Sequence, residues 1–377
     1  MIKLYITSIL FAFSIPSLAQ VTLTMGGDVN FNKNLMKPVA EGFSMNGTTT
    51  PWASYTRFLQ PLIDGTLNFA NIETVVSSRK DLPAETKKFV FQTHPDAIQH
   101  LVDVGFNFMN LANNHTYDFG HKGMSATLEA MGQLKQENAG LNYFGIGYKK
   151  DLLKPTLIKA NGFTIAVASL TILDPQFKAT DTSVGVIHIW DTEKYHQIVK
   201  AMKETSAHYK ILSIHFGTEG QVVLDAKQKA YYEYALKNGD VDLIIGHHPH
   251  AVRPIQKMGD KYIFYSLGNY LMLGSANITS KIGGADFGLF SKLHLVQNES
   301  GRLVPEAIEL VPLTNTHSAV KPMAAQAAED RLHDFQKLID AQLGNDGIRF
   351  KISAQGRGYL CHDDVKLESS KKACSGN

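Results

Sequence analysis

Gly246-His247-His248-Pro249-His250 directly follows the apolar run Val241-Asp242-Leu243-Ile244-Ile245. Three of the 15 histidines in 377 residues fall in these five positions. The run is preceded by Lys237-Asn238-Gly239-Asp240 and reads as a buried strand. The histidines therefore leave the carboxyl end of a central strand, where open α/β sheets place ligands. Gly246 and Pro249 hold a turn, so His248 and His250 aim at one point. Neutral imidazole is a common metal ligand, which makes the stretch a candidate metal claw. A polar loop with chance histidines is the plain alternative.

Outward from this strand the chain alternates. Residues 21–25, 67–72, 106–111 and 141–145 have strand character, and helical spacing covers 94–104 and 122–136. Leu128, Met131 and Leu134 share one face of the second helix. Such alternation implies parallel βαβ units. Residues 156–159 and 164–170 flank Asn161-Gly162, a strong hairpin signal. A helix at 192–205, a strand at 209–215 and a helix at 226–236 lead into the histidine-bearing strand. A second hairpin joins 252–258 to 261–266 through Gly259-Asp260, and 289–296 and 303–312 read as antiparallel strands. Mixed sheets flanked by helices predict an α/β fold of two packed sheets with helices outside, a four-layer α/β/β/α sandwich. Residues 322–343 form an amphipathic packing helix. Its stripe is Ala328, Leu332, Phe335, Ile339 and Leu343, with Gly344 as the stop.

The first residues read as a leader. Met1-Ile2-Lys3 is a positive start, residues 4–15 are apolar, and Ser17-Leu18-Ala19 is a small-x-small cleavage site before Gln20. This is a signal peptide rather than a membrane span. It predicts secretion across the inner membrane to a periplasmic or extracellular location, with no integral membrane segment in the mature chain. The whole chain has 37 Lys and Arg against 35 Asp and Glu, and Lys3 leaves with the leader. So even a balance argues for neither a nucleic-acid partner nor a charged membrane surface. Residues 20–377 are long for one core, so one large or two smaller domains are allowed. Cys361 and Cys374 both lie near the end of the chain. In an exported protein they are candidates for a disulfide pinning the tail, with two free thiols as the alternative.

Polar residues cluster at five strand ends. They are Gly26-Gly27-Asp28-Val29-Asn30, then Asn71-Ile72-Glu73, then Asn113-Asn114-His115 with Asp118, then His215 with Glu219, and the histidine cluster itself. Each alone has an ordinary explanation. Asp28 caps turns well, Glu73 suits a solvated end, and Asn113-Asn114 suits left-handed turn positions. Together they supply carboxylates, an amide oxygen and imidazoles, the mixture that holds two divalent ions about 4 Å apart. A shared carboxylate screens the repulsion between such ions. The ions lower the pKa of water from 15.7 towards about 7, making a nucleophile available. A free histidine beside them can protonate a leaving group.

Gly27-Asp28-Val29, Asn71-Ile72-Glu73, Leu111-Ala112-Asn113-Asn114-His115 with Asp118 and Gly120, His215-Phe216-Gly217-Thr218-Glu219, Gly246-His247-His248-Pro249-His250 and Tyr265-Ser266-Leu267-Gly268-Asn269 occur in this order. The series resembles the motifs of the CapA-type poly-γ-glutamate capsule biosynthesis family, over residues 21–315. That family is similar in fold to the calcineurin-like metallophosphoesterases. The resemblance implies a CapA-type, metallo-dependent phosphatase-like domain at 20–315, followed by a C-terminal helix and tail at 316–377. It implies one or two divalent ions (Mn²⁺, Zn²⁺ or Fe²⁺), with Asp28, Glu73, Asn114, His215, His248 and His250 as ligands and Glu73 in the bridging position. His115 matches the histidine that contacts substrate. Asp118 either orients it or caps the following helix. His247 is an extra residue beside the ligands. Glu219 and Asn269 match positions fixed in the family's pattern and belong to the edge of the site, Glu219 with the catalytic group and Asn269 with the substrate-binding one.

The chain departs from the metallophosphoesterase pattern in two places. Asp28-Val29-Asn30 replaces Asp-x-His, which removes one histidine ligand or substitutes the Asn30 amide for it. Glu73 in place of Asp moves the bridging carboxylate by one methylene. Lys33 stands where similar chains carry Arg, keeping the charge without the bidentate fork. Lys33, Arg253 and Arg79 are candidates to hold carboxylates or a phosphate, with a solvated strand residue as the alternative for Arg253. The expected function is metal-dependent hydrolysis of an anionic γ-glutamyl polymer, in the company of other capsule synthesis proteins. A small phosphoester is the alternative substrate, and non-catalytic polymer export or assembly the alternative role.

Overall fold

A computed structural model describes residues 20–273, 286–362 and 365–375. The leader at residues 1–19 lies outside the described residues. Strands β1 (Gln20–Asn30), β2 (Leu67–Ile72), β3 (Phe108–Asn110) and β4 (Asn142–Phe144) run parallel, side by side in that order. The second sheet contains β5 (Thr156–Ala160), β6 (Phe163–Thr171), β7 (Tyr209–His215), β8 (Leu243–His247), β9 (Val252–Met258) and β10 (Lys261–Leu267). Its spatial order is β9-β10-β8-β7-β6-β5. β6, β7, β8 and β10 are parallel, and the hairpins add β5 and β9 antiparallel at the edges.

The chain then returns to the first sheet. β11 (Asn269–Met272) runs parallel to the end of β1, β12 (Gly288–Gln297) lies antiparallel on β1, and β13 (Leu303–Thr314) and β14 (Gly358–Cys361) extend the edge. Two short pieces, Lys321–Pro322 and Lys351–Ile352, complete ten strands.

The period of two along each strand sorts side chains between layers. Val21, Leu23, Met25 and Phe69 of the first sheet pack against Ile165, Val167, Ile211 and Ile245 of the second. On the outer face of the first sheet, Ala70, Ile72 and Met109 meet helices α1 (Pro95–Val104) and α2 (Gly120–Glu137) through Ile98, Leu101, Met124 and Met131. On the outer face of the second, Leu170, Leu212 and Ile244 meet α3 (Thr192–Glu204) and α4 (Ala226–Asn238) through Ile198, Met202 and Leu236. The protein is the four-layer α/β/β/α sandwich that the alternation predicts. Helix α5 (Ala325–Leu343) packs on β9 and β13, and all five residues of its stripe are buried. Gly344 stops it at φ +54°.

Both hairpins form. Asn161 and Gly162 have φ of +47° and +85°, and Gly259 has φ +66°. Strand β3 is shorter than its apolar run, and β8 extends two residues further than its own. β8 does so because it pairs with β7 as far as His215 opposite His247. Cys361 and Cys374 form a disulfide that ties the helix Glu368–Ser375 to β14. Among the described residues no helix is long and apolar enough to cross a membrane.

Candidate metal centre

The first ligand position depends on a bulge. In the pairing of β1 with β2, Met25 lies opposite Phe69 but Asp28 lies opposite Asn71, so β1 carries one extra residue. A one-residue insertion flips every following side chain to the other face. Leu23 and Met25 face the partner sheet, and after the bulge Asp28 does so while Val29 packs under the helices. Glycine is required here: a Cβ on Gly27 would sit 1.8 Å from the Gly268 carbonyl oxygen. Asp28 is fully buried, and the Asn71 amide donates to its Oδ1 over 2.7 Å.

The second sheet delivers the histidines by the same alternation. Ile211 and Ile245 face the first sheet, so His215 and His247 do too, at the carboxyl ends of adjacent strands. The chain then turns through left-handed backbone at His248 (φ +95°) and His250 (φ +53°). Such conformations cost on the order of 1–3 kcal/mol each in non-glycine residues and concentrate at functional sites. The turn brings His248 Nδ1 to 3.1 Å from His215 Nε2, which also lies 2.7 Å from Asn114 Oδ1. His250 Nε2 comes to 3.6 Å from Glu73 Oε1.

Glu73 is the centre of this arrangement. Its Oε1 also lies 3.3 Å from His215 Nε2 and 4.0 Å from His115 Nε2. Two groups of ligand atoms, Asp28-Glu73-His250 and Glu73-His215-His248, each fit within 4.8 Å and share this carboxylate. Glu73 is fully buried, yet among the described residues neither of its oxygens has a hydrogen-bond partner, nor does Asp28 Oδ2. Buried carboxylate oxygens are normally satisfied, so these are directed at a group other than a protein donor.

The electrostatics agree. Burial, then the negative charges of Asp28, Glu219 and Asp118, push Glu73 well above the usual carboxylate range. Burial also raises Asp28, but hydrogen bonding and charge from His247, with help from His250 and Asn71, outweigh it and hold Asp28 below its ordinary value. Burial, followed by neighbouring imidazoles, drives His215 well below 6.5, and burial takes His248 down to about 3. Neutral imidazoles facing unpartnered carboxylate oxygens are the donor set that suits a divalent cation.

Residues 22–273 match the family model described as "Bacterial capsule synthesis protein PGA_cap". The chain belongs to this family. It is 31% identical to the "PGA biosynthesis protein CapA" of Bacillus subtilis over 204 residues, covering 53% of this chain and 52% of that protein. The aligned region thus spans about half the length of that relative. Identity to the "Capsule biosynthesis protein CapA" of Bacillus anthracis is 25% over 320 residues, covering 83% of this chain and 72% of the other. Among solved structures, the calcineurin-like phosphoesterase YfkN of Bacillus subtilis aligns with TM-score 0.43 at 14% identity, over 85% of this chain and 99% of that one.

In this PGA_cap chain the sequence-derived site residues divide into groups. Asp28, Glu73, Asn114, His215, His248 and His250 converge. His115 joins them, with Nδ1 2.7 Å from Asp118 Oδ2. Asp118 therefore orients His115. It does not cap the following helix, whose N-terminus has no side-chain cap. Glu219 stands half-exposed at the mouth, 4.0 Å from His248 Nε2. Asn269 Oδ1 lies 2.7 Å from His250 Nδ1, so Asn269 supports a ligand instead of standing free for substrate. His247 stacks on Phe69 with centroids 5.4 Å apart and approaches Asp28 Oδ1 to 3.4 Å.

Three expectations do not hold geometrically. The Asn30 amide does not replace the missing histidine: its Nδ2 donates to the Asn32 carbonyl over 2.6 Å, and its Oδ1 accepts from Asn32 N over 3.1 Å. Arg253 is not an anion holder. It is fully buried and donates to Gln221 O, Asp225 Oδ2, Gln228 Oε1 and Thr218 O, which anchors the loop carrying Glu219. Arg79 forms a surface pair with Asp81 through two bonds of 3.0 and 2.7 Å. Lys33 is exposed on the loop after β1.

Two roles escape the sequence reading. Asn71 is clamped by Asn110 Nδ2, which donates to its Oδ1 over 2.8 Å, and so presents its own amide to Asp28. Its signal is a polar residue at an inward position of an apolar strand. Lys87 donates to Asp118 Oδ1 and to the Asn114 carbonyl, each over 2.5 Å. Nothing in its lysine-rich neighbourhood singles it out.

Proposed function

We propose that the protein is a metal-dependent hydrolase that cuts an anionic γ-glutamyl polymer outside the cytoplasm. The observation that carries this reading is Glu73, a buried carboxylate unpartnered among the described residues and common to two groups of ligand atoms. Asp28, Glu73 and His250 would hold one divalent ion; Glu73, Asn114, His215 and His248 would hold a second. Bound there, such ions would polarise a scissile carbonyl and lower the pKa of water. His115 presents Nε2 to the same space while Asp118 holds its Nδ1. With Nδ1 held by Asp118, Nε2 of the neutral ring is the base placed to take a proton from the attacking water and pass it to the leaving nitrogen as the C–N bond breaks. Lys87 anchors Asp118 from behind. Lys33, exposed beyond β1, supplies positive charge for the polymer's carboxylates.

The printed names of the relatives, "PGA biosynthesis protein CapA" and "Capsule biosynthesis protein CapA", support the substrate class. The disulfide supports an oxidising compartment outside the cytoplasm, as does the leader-like start.

The test incubates mature wild type and His248→Ala with poly-γ-glutamate and with an aryl phosphodiester, with Mn²⁺ and Zn²⁺ varied. Polymer length is read by size-exclusion chromatography. Metal-dependent shortening by wild type alone is expected. Cleavage of the phosphodiester with intact polymer would make it a phosphoesterase. Retention of polymer with no cleavage of either would make it a non-catalytic assembly factor.

A further inference from the structure

We propose that His317 is a positioning residue for this metal centre, fixing the ring tautomer of His250 through Asn269. The inference rests on the metal-site reading above and extends it to a residue outside the segment 22–273 that matches the family.

A carbonyl oxygen can only accept a hydrogen bond. His317 Nδ1 lies 3.1 Å from the Met272 carbonyl oxygen, so Nδ1 carries the ring proton. Burial holds His317 below the ordinary histidine value, and the ring is neutral near pH 7. Its Nε2 is then a lone pair, and it faces Asn269 Nδ2 at 3.4 Å. With Nδ2 donating to His317, Asn269 turns Oδ1 to His250 Nδ1 at 2.7 Å. His250 Nδ1 therefore carries its proton and donates it. The bare Nε2 is left facing Glu73 Oε1 at 3.6 Å. The four contacts agree with one another, Asp28 Oδ2 at 3.4 Å from His250 Nδ1 favours the same proton position, and the result is the tautomer a metal ligand needs.

The mount for His317 is built with the same care. Asp286 Oδ1 accepts from Thr316 N and Oγ1, both over 2.8 Å. Its Oδ2 accepts from Thr314 Oγ1 over 2.8 Å and from Asn315 N. On the other side Met272 N donates to the Thr316 carbonyl over 2.7 Å. The turn after β13 is thereby tied to β11, the strand that carries Asn269. Asn269 and His317 are 48 residues apart, so the link exists only in the folded chain.

The test is Co²⁺ affinity of the full mature chain, by calorimetry and by the visible absorption of bound Co²⁺. Loss of an outer hydrogen-bond partner weakens metal binding about 10- to 100-fold, and that is expected of His317→Ala. His317→Gln keeps an acceptor for Asn269 and should restore affinity. Nitrogen NMR of the apo protein supplies an independent reading. The His250 ring should be protonated at Nδ1 in wild type and His317→Gln, and mixed in His317→Ala. Wild-type affinity in His317→Ala, or an Nε2-protonated His250 in wild type, would overturn the proposal. A protein that shows the His317 dependence but leaves poly-γ-glutamate intact contradicts the hydrolase reading alone. One that cuts polymer with unchanged Co²⁺ affinity in His317→Ala contradicts this proposal alone.

Discussion

Glu73 Oε1 lies 3.3 Å from His215 Nε2, bringing a buried carboxylate from the first sheet against an imidazole from the second. Neither sheet holds a complete ligand set, so the centre exists only where the two meet. Glu73→Gln keeps the shape and removes the charge that both groups of ligand atoms share. Metal affinity should fall by more than the roughly 100-fold that loss of an outer partner costs. Calorimetric titration with Mn²⁺ checks this, and binding within about threefold of wild type would contradict it.

Asn30 closes a turn on Asn32 and is not a ligand. Asn30→Ala removes buried hydrogen bonds and should cost about 1–3 kcal/mol of folding stability. Metal affinity should stay near wild type. Urea denaturation and metal titration on the same sample separate the two effects.

Arg253 is a fully buried cation whose partners fix the loop that carries Glu219. Removing one member of such a pair is strongly destabilising, so Arg253→Ala should lose about 3 kcal/mol. Arg253→Lys cannot reproduce the forked donors and should rescue little of it. A stable Arg253→Ala protein with raised KM for polymer would instead make Arg253 a substrate contact.

The pH dependence of the apo protein follows from His248. Its pKa is near 6.5 when unfolded and is taken down to about 3 by burial in the fold. The unfolded chain therefore binds the extra proton between these values, and stability is lost as pH falls from 6.5 towards 3. His215 is depressed in the same direction by burial and adds to the effect. Urea midpoints measured at pH 7.5 and 5 should drop on acidification, and His248→Gln should flatten the slope.

Much of this site was legible because strand periodicity places polar residues at strand ends without long-range information. The apolar runs before Asp28, Glu73 and His248 were enough to predict convergence. Arg253 looks like an anion holder in the sequence because its place beside the histidine cluster does not show which face of the strand it occupies. Val252 points between the sheets, so its neighbour points to the helix layer, where Asp225 and Gln228 wait. The role of Asn30 is hidden because its choice between a metal and the Asn32 backbone depends on a local turn that no periodicity reports. His317 was invisible because its partner is reached only when β11 and the turn after β13 meet. The bulge at Gly26-Gly27 was written in the sequence, but its parity shift shows only against the register of β2.

The most direct measurement of the central claim is metal content. Purified mature protein, reconstituted with Mn²⁺ or Zn²⁺ and freed of excess, is analysed for metal per chain alongside Glu73→Gln. Stoichiometric metal, up to two ions per chain, is expected in wild type, with its loss in the variant. No stoichiometric metal in wild type after reconstitution would contradict that claim.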